Sequence, residues 1–219
     1  MEYWKKWLHG LCVLMLATGL ALQPGCSDDD NDDDSSSSDF GDNNPSVIVA
    51  MGDCISGDIN YPGVEPYPAI LAGMLPSKTI INESGGAAKS SDGASRVNGV
   101  LNKNTPAYLL ILYGTNDILH SLGHDSIINN LRFIVQAAKN NKTVPIIGTL
   151  PPMTHSHSIY NGSIDALNTK IRQMASEENV RVADLAREFA GCDPEMFPDG
   201  RHPNADGQAI IAMAYKEKI

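Results

Sequence analysis

Basic side chains are scarce in this sequence: 16 Lys and Arg stand against 26 Asp and Glu, for a formal net charge of -10. No stripe of positive charge runs along any segment, which excludes the electrostatic footprint of a nucleic-acid binder. Aromatic residues make up only 6% and cysteines number four. No internal repeat is visible, and the one extended apolar run, near the amino end, is too short for a comfortable membrane span. What remains is the composition of a soluble globular protein, 42% hydrophobic, with room in 219 residues for one ordinary domain and flanking segments.

The acidity is unevenly distributed. Nine of the acids but only two of the basic residues precede Ser46, so the rest of the chain carries 17 acids against 14 Lys and Arg and is nearly balanced. Lys5 and Lys6 precede an apolar run from Leu8 to Leu22 that breaks at Gln23-Pro24-Gly25-Cys26. A positive start, a short apolar stretch and a small residue before a cleavage point make residues 1–25 a secretory signal. Gly25-Cys26 resembles a bacterial lipobox, although leucine sits one position further back than that pattern places it. The resemblance implies lipidation of Cys26, and simple secretion or an uncleaved anchor are the alternatives. Ser27 is similar to an outer-membrane sorting residue. Residues 26–45 carry Asp28, Asp29, Asp30, Asp32, Asp33, Asp34, Asp39 and Asp42 among serines. Such a run has little to bury and repels itself, so it reads as a disordered tether. The expected setting is the bacterial cell envelope, at the outer membrane or periplasmic face, with a lipid anchor as the membrane contact.

From Ser46 onward, short apolar runs alternate with helical patterns. Val47–Met51, Thr79–Asn82, Tyr108–Tyr113, Val144–Gly148 and Val180–Ala183 read as strands, mostly without polar alternation, as in a parallel sheet buried on both faces. Pro66–Leu75, Asp125–Asn140, Ser163–Glu178 and Ala205–Lys216 read as helices. Strand–helix alternation over residues 46–219 predicts a three-layer α/β fold whose active site lies where loops leave the carboxyl ends of the strands.

The motifs fall on that edge. Gly52-Asp53-Cys54 follows the first strand, INESGGAAKSSDG continues the second, and Gly114-Thr115-Asn116-Asp117 follows the third. Pro151-Pro152 follows the fourth, and Asp199 and His202 precede the last helix. In order and spacing these blocks resemble the SGNH (GDSL-like) hydrolases, with Cys54 where that family carries its nucleophilic serine. The resemblance implies a flavodoxin-like SGNH fold of about five parallel strands. It also implies acyl transfer on lipids, thioesters, short esters or O-acylated glycans, with no metal or organic cofactor.

An acyl-transfer site needs a nucleophile, a base, a group orienting the base and donors for the oxyanion. Cys54, His202, Asp199 and Asn116 fill these roles in turn, with Asn116 joined by backbone N–H groups of Cys54 and of Gly86 or Ala87. An alanine donates there if its φ is negative. Gly52, Asp53, Gly114 and Asp117 read as structural, serving tight backbone and turn-tying roles. His155 and His157 read as a pocket-lining loop, with metal binding the alternative; no third ligand is evident. A Cys54–Cys192 disulfide is conceivable in an oxidising envelope. A thiol pKa drops beside an imidazolium, so a thiolate–imidazolium pair is conceivable at rest. Three readings of Cys54 stay open: an active cysteine hydrolase or transferase, a weakened enzyme kept to bind a glycan or acyl ligand, and a replacement of an original serine.

Overall fold

The computed structural model describes residues 39–57 and 63–219. The signal segment 1–25, Cys26 and the tether as far as residue 38 lie outside the described residues. Five strands form one parallel sheet: β1 Asn44–Gly52, β2 Thr79–Asn82, β3 Pro106–Leu112, β4 Val144–Gly148 and β5 Arg181–Ala183, in the order β2-β1-β3-β4-β5. This is the predicted α/β arrangement, and its strand order changes direction between β1 and β3. β3 is buried at every position and β1 from Val47 onward. Burial on both faces explains why these strands read as continuous apolar runs. β5 is a three-residue edge strand whose Arg181 is exposed, a short charged edge that resists further pairing.

Helices cover both faces. On one side α1 (Tyr67–Met74) packs with α7 (Ala205–Lys216), which also meets the short α6 (Leu185–Glu188). On the other, α4 (His124–Asn140) sits between α2 (Ser90–Asn104) and α5 (Asn161–Glu177). In α4 the buried residues are Ile127, Leu131, Ile134, Val135 and Ala138, the stripe that the helical spacing predicts. A five-residue helix, α3 (Thr115–Leu119), follows β3.

Two features depart from the sequence reading. The domain begins before Ser46: the Phe40 ring packs edge-on against Tyr108 at 5.4 Å, Asn43 donates to the Asn141 carbonyl, and β1 starts at Asn44. One aromatic, the Asn43 hydrogen bonds and the Asp39–Lys142 pair together hold residues 39–45 against the rest of the domain. α2 is the second. Its sequence is mostly polar and holds two glycines, yet Gly93, Val97, Val100 and Leu101 are buried. A Cβ at Gly93 would lie 2.7 Å from a Tyr113 ring carbon, so a small residue is needed for the helix to lie that close.

Candidate active site

β1 ends at Gly52 with no room for a side chain, since a Cβ there would collide with Ser56 Oγ and meet the Leu112 carbonyl at 2.8 Å. The chain then turns sharply. The Asp53 carbonyl accepts the N–H groups of Ser56 and Gly57, both at 3.1 Å, and Asp53 Oδ1 accepts that of Ile55 at 2.9 Å. Cys54 sits in this turn, 5% exposed. Side chains from elsewhere pin the turn. Gln208 of α7 donates to the Ile55 carbonyl at 3.0 Å and accepts the Tyr67 N–H at 2.9 Å, while Asn82 donates to the Ser56 carbonyl at 2.8 Å.

His202 reaches Cys54 from the loop before α7. Asp199 Oδ1 accepts the backbone N–H groups of Arg201 and His202, at 3.0 and 2.7 Å, and Oδ2 lies 2.6 Å from His202 Nδ1. A carboxylate on Nδ1 selects the tautomer protonated there and leaves Nε2 as an acceptor. Nε2 lies 3.1 Å from Cys54 Sγ. The loop is held from below: Thr154 donates its N–H to the Gly200 carbonyl at 2.9 Å and its hydroxyl to the Phe197 carbonyl at 3.1 Å.

The third side comes from β2 and β3. Gly114, at φ +132°, turns the chain into α3, a conformation that favours glycine. Asn116, on α3, donates to the Ala88 carbonyl at 3.1 Å and fixes the β2–α2 loop beside Cys54. Asp117 accepts the Ser90 N–H at 2.9 Å and its hydroxyl at 2.6 Å, tying α3 to the start of α2. Cys54, Gly86, Ala87, Asn116, Arg201 and His202 together line a pocket of about 370 Å³.

Residues 48–210 match the model of the GDSL-like Lipase/Acylhydrolase family. The chain belongs to this family. Among curated proteins it is similar to thioesterase 1/protease 1/lysophospholipase L1 of Escherichia coli K12, 28% identical over 167 residues that cover 75% of this chain and 79% of that protein. It is also similar to an arylesterase of Vibrio mimicus, 24% identical over 177 residues, covering 78% and 87%. Among solved structures, a lipolytic G-D-S-L protein of Veillonella parvula superposes with TM-score 0.70 at 19% identity, covering 78% of this chain and 96% of that one. The acetylxylan esterase Axe2 of Geobacillus stearothermophilus gives 0.69 at 16%, covering 80% and 94%. Family membership supports an ester-hydrolase activity and an acyl or ester substrate.

Burial sets the electrostatics of the site in this GDSL-like protein. Burial raises the Cys54 thiol above its ordinary value, and the Asp53 carboxyl raises it further. Arg201, the Ala87 N–H and the Asn116 amide pull it back only in part. Solvent exclusion outweighs the neighbouring donors and works against a thiolate at Cys54. Asp53 is fully buried and pushed up to about 7, chiefly by burial, with its Oδ2 lacking a partner among the described residues. Burial acts on Asp199 in the same sense, but the His202 N–H, the His202 ring and the Arg201 N–H overcome it and hold that carboxyl at about 2.

Other expectations also shift. Ala87 takes a positive φ of +56°, not a negative one, yet its N–H still faces the sulfur. Cys54 and Cys192 are both free, so the conceivable disulfide is not formed. His155 and His157 do not line the Cys54 pocket. They lie in a short 3-10 helix, His155–Tyr160, where His157 packs on Gly200 and His155 approaches Glu195 at 3.8 Å. Among the described residues no group of three His, Cys, Asp or Glu could hold a metal ion, and no helix is long and apolar enough to cross a membrane. Two residues escaped the sequence reading. Arg201 stands between Asp199 and His202, which was signal enough to notice it. Gln208 lies in a helix that sequence alone gives no reason to place beneath Cys54.

Proposed function

We propose that this protein is an acyl-ester or thioester hydrolase, or an acyltransferase, that works through a covalent acyl-enzyme on Cys54. The observation that carries the reading is the continuous line from Asp199 Oδ2 to His202 Nδ1 at 2.6 Å and from Nε2 to Cys54 Sγ at 3.1 Å. As the thiol meets the substrate carbonyl, Nε2 takes its proton and sulfur bonds to the carbonyl carbon. The oxyanion is held by Asn116 and by backbone N–H groups of Cys54 and the Gly86–Ala87 segment. Collapse breaks the bond to the leaving group, which departs with the proton from His202. Water or an acceptor alcohol then attacks the thioester. His202 takes its proton, the carbon–sulfur bond breaks, and the proton returns to sulfur. Asp199 stabilises the imidazolium in both halves, and no step draws on a cofactor. Because burial disfavours the thiolate, proton transfer accompanies attack instead of preceding it.

The substrate class proposed is an acylated small molecule, a lipid or an O-acylated glycan, in keeping with the esterase and lysophospholipase names of the relatives. We further propose cleavage of residues 1–25, lipidation of Cys26 and an acidic tether that holds the domain off a bacterial envelope membrane, on the sequence pattern alone.

The test is turnover of a short-chain p-nitrophenyl ester by the native protein beside Cys54→Ala and Cys54→Ser. Turnover abolished in the alanine variant supports the acyl-enzyme. A stoichiometric burst without turnover indicates an acceptor other than water. A native protein as silent as Cys54→Ala beside an active Cys54→Ser sinks the reading, and makes this a hydrolase scaffold disabled by its cysteine.

A further inference from the structure

The acyl-transfer steps above give Arg201 no part, although it lines the pocket with Cys54, Asn116 and His202. Every other arginine of the chain has an acceptor. Arg96 donates to the Glu83 carbonyl, Arg132 to Glu177 and Glu178, Arg172 to Asp184, Arg181 to the Lys218 carbonyl and Arg187 to Glu188. Among the described residues the Arg201 guanidinium has neither a hydrogen bond nor an ion pair; only its backbone N–H is engaged, by Asp199.

Among the described residues, the carboxylates of the motif blocks are otherwise occupied. Both Asp199 oxygens face the His202 backbone and ring, and both Asp117 oxygens face Ser90. Asp53 lies fully buried beneath the turn, with no exposed surface to offer a substrate. The remaining pocket walls are an amide, a glycine and an alanine, so among the described residues the lining holds one guanidinium and no accessible carboxylate. A planar guanidinium in a partly enclosed, otherwise neutral pocket binds carboxylate or phosphate oxygens through paired donors. Partial exclusion of water strengthens that attraction.

We propose that Arg201 is a specificity-determining residue that selects acyl donors carrying an anionic oxygen group close to the scissile carbonyl. The proposal rests on the Cys54 acyl-transfer reading for the word donor, but the anion preference can be measured without turnover.

Alkylation of Cys54, followed on its own peptide so that Cys192 does not contribute, compares iodoacetate with iodoacetamide at pH 8. In both, sulfur bonds to the methylene carbon and iodide leaves; the reagents differ in charge. The native protein should favour iodoacetate over iodoacetamide about tenfold more than a free thiol does. Arg201→Gln should lose that excess, and Arg201→Lys should keep part of it. A native ratio equal to that of a free thiol, or one unchanged in Arg201→Gln, overturns the proposal.

Turnover separates it from the reading it rests on. Mono-p-nitrophenyl succinate should outpace p-nitrophenyl butyrate if the anion belongs to the acyl group. If it belongs to the leaving group, 4-acetoxybenzoate should outpace its methyl ester. Hydrolysis through Cys54 with no preference in either pair defeats the anion selection and leaves the acyl-enzyme standing. Anion-selective alkylation with no turnover of any ester defeats the acyl-enzyme and leaves Arg201 as an anion-binding residue.

Discussion

The two ends of the parallel sheet both carry crevices, and the larger one is at the end without the nucleophile. At the amino end, Asp39, Lys139, Lys142, Val144 and Arg181 line about 610 Å³, against about 370 Å³ around Cys54. In that larger crevice every cation already has an acceptor. Lys142 pairs with Asp39, Lys139 donates to the Glu178 carbonyl at 2.7 Å, and Arg181 donates to the Lys218 carbonyl at 2.8 Å. The smaller pocket holds a buried thiol, an imidazole aimed at it and a guanidinium without a partner among the described residues. Chain direction explains the difference. Loops leaving the strands at the carboxyl end run into helix amino termini, which present N–H groups. The opposite end collects the carbonyls that finish helices, and Lys139 and Arg181 serve those. Volume does not mark the end proposed as functional; unmet bonding capacity held on buried backbone does.

The comparison breaks most visibly at Asn116. Asn116→Ala should lower kcat by 10²- to 10³-fold, about 3 to 4 kcal/mol of transition-state stabilisation, with KM little changed. Steady-state kinetics on an ester that the native protein turns over would check this. Next in size is Asp53. Its carboxyl is raised in the folded protein to about 7, so its contribution to stability is fully present below about pH 4 and is lost as pH rises through 7. Asp53→Asn should flatten the native profile of urea midpoint between pH 5 and 8, a change on the order of a few kcal/mol. A variant profile as steep as the native one would show that Asp53 is not the titrating group.

Two glycines of α2 sharpen the contrast between packed and open positions. Gly93→Ala places a methyl 2.7 and 2.9 Å from Tyr113 ring carbons and 3.0 Å from Ile134 Cδ1. It should destabilise by about 1 to 3 kcal/mol despite better helix propensity. Gly99→Ala meets nothing within 4 Å and should stabilise by up to about 1 kcal/mol. Equal effects from the two would contradict the close approach of α2 to Tyr113 and α4. The smallest effect belongs to the amino-end crevice. Lys142→Ala removes an exposed ion pair and should leave both turnover and the urea midpoint unchanged within error. A loss of turnover comparable to that of Asn116→Ala would end the claim that only one end of the sheet is functional.

Much of this was legible in the chain. β2 and β4 carry the bounds their apolar runs suggest. β4 and the α4 stripe are buried as their patterns require, because burial against a sheet imposes a strict apolar code, whereas β2 is a half-exposed edge strand. α2 was not legible. Its approach to the sheet depends on small residues at Ser90 and Gly93, which resemble loop composition when read in isolation. The left-handed Ala87 was hidden for a related reason: alanine reports no preference for positive φ, and the surrounding loop imposes it at a cost of about 1 kcal/mol.

The sequence by itself determined the α/β class, the order of the motif blocks and their placement after successive strands, since periodicity and turn residues are local properties. Tertiary structure alone decided how Cys54, 148 residues from His202 along the chain, comes to face it at 3.1 Å. It also decided the direction in which the Cys54 thiol shifts. Burial beneath the pinned turn excludes the water that would stabilise a thiolate, and no count of neighbouring residue types reports how much solvent a fold leaves behind.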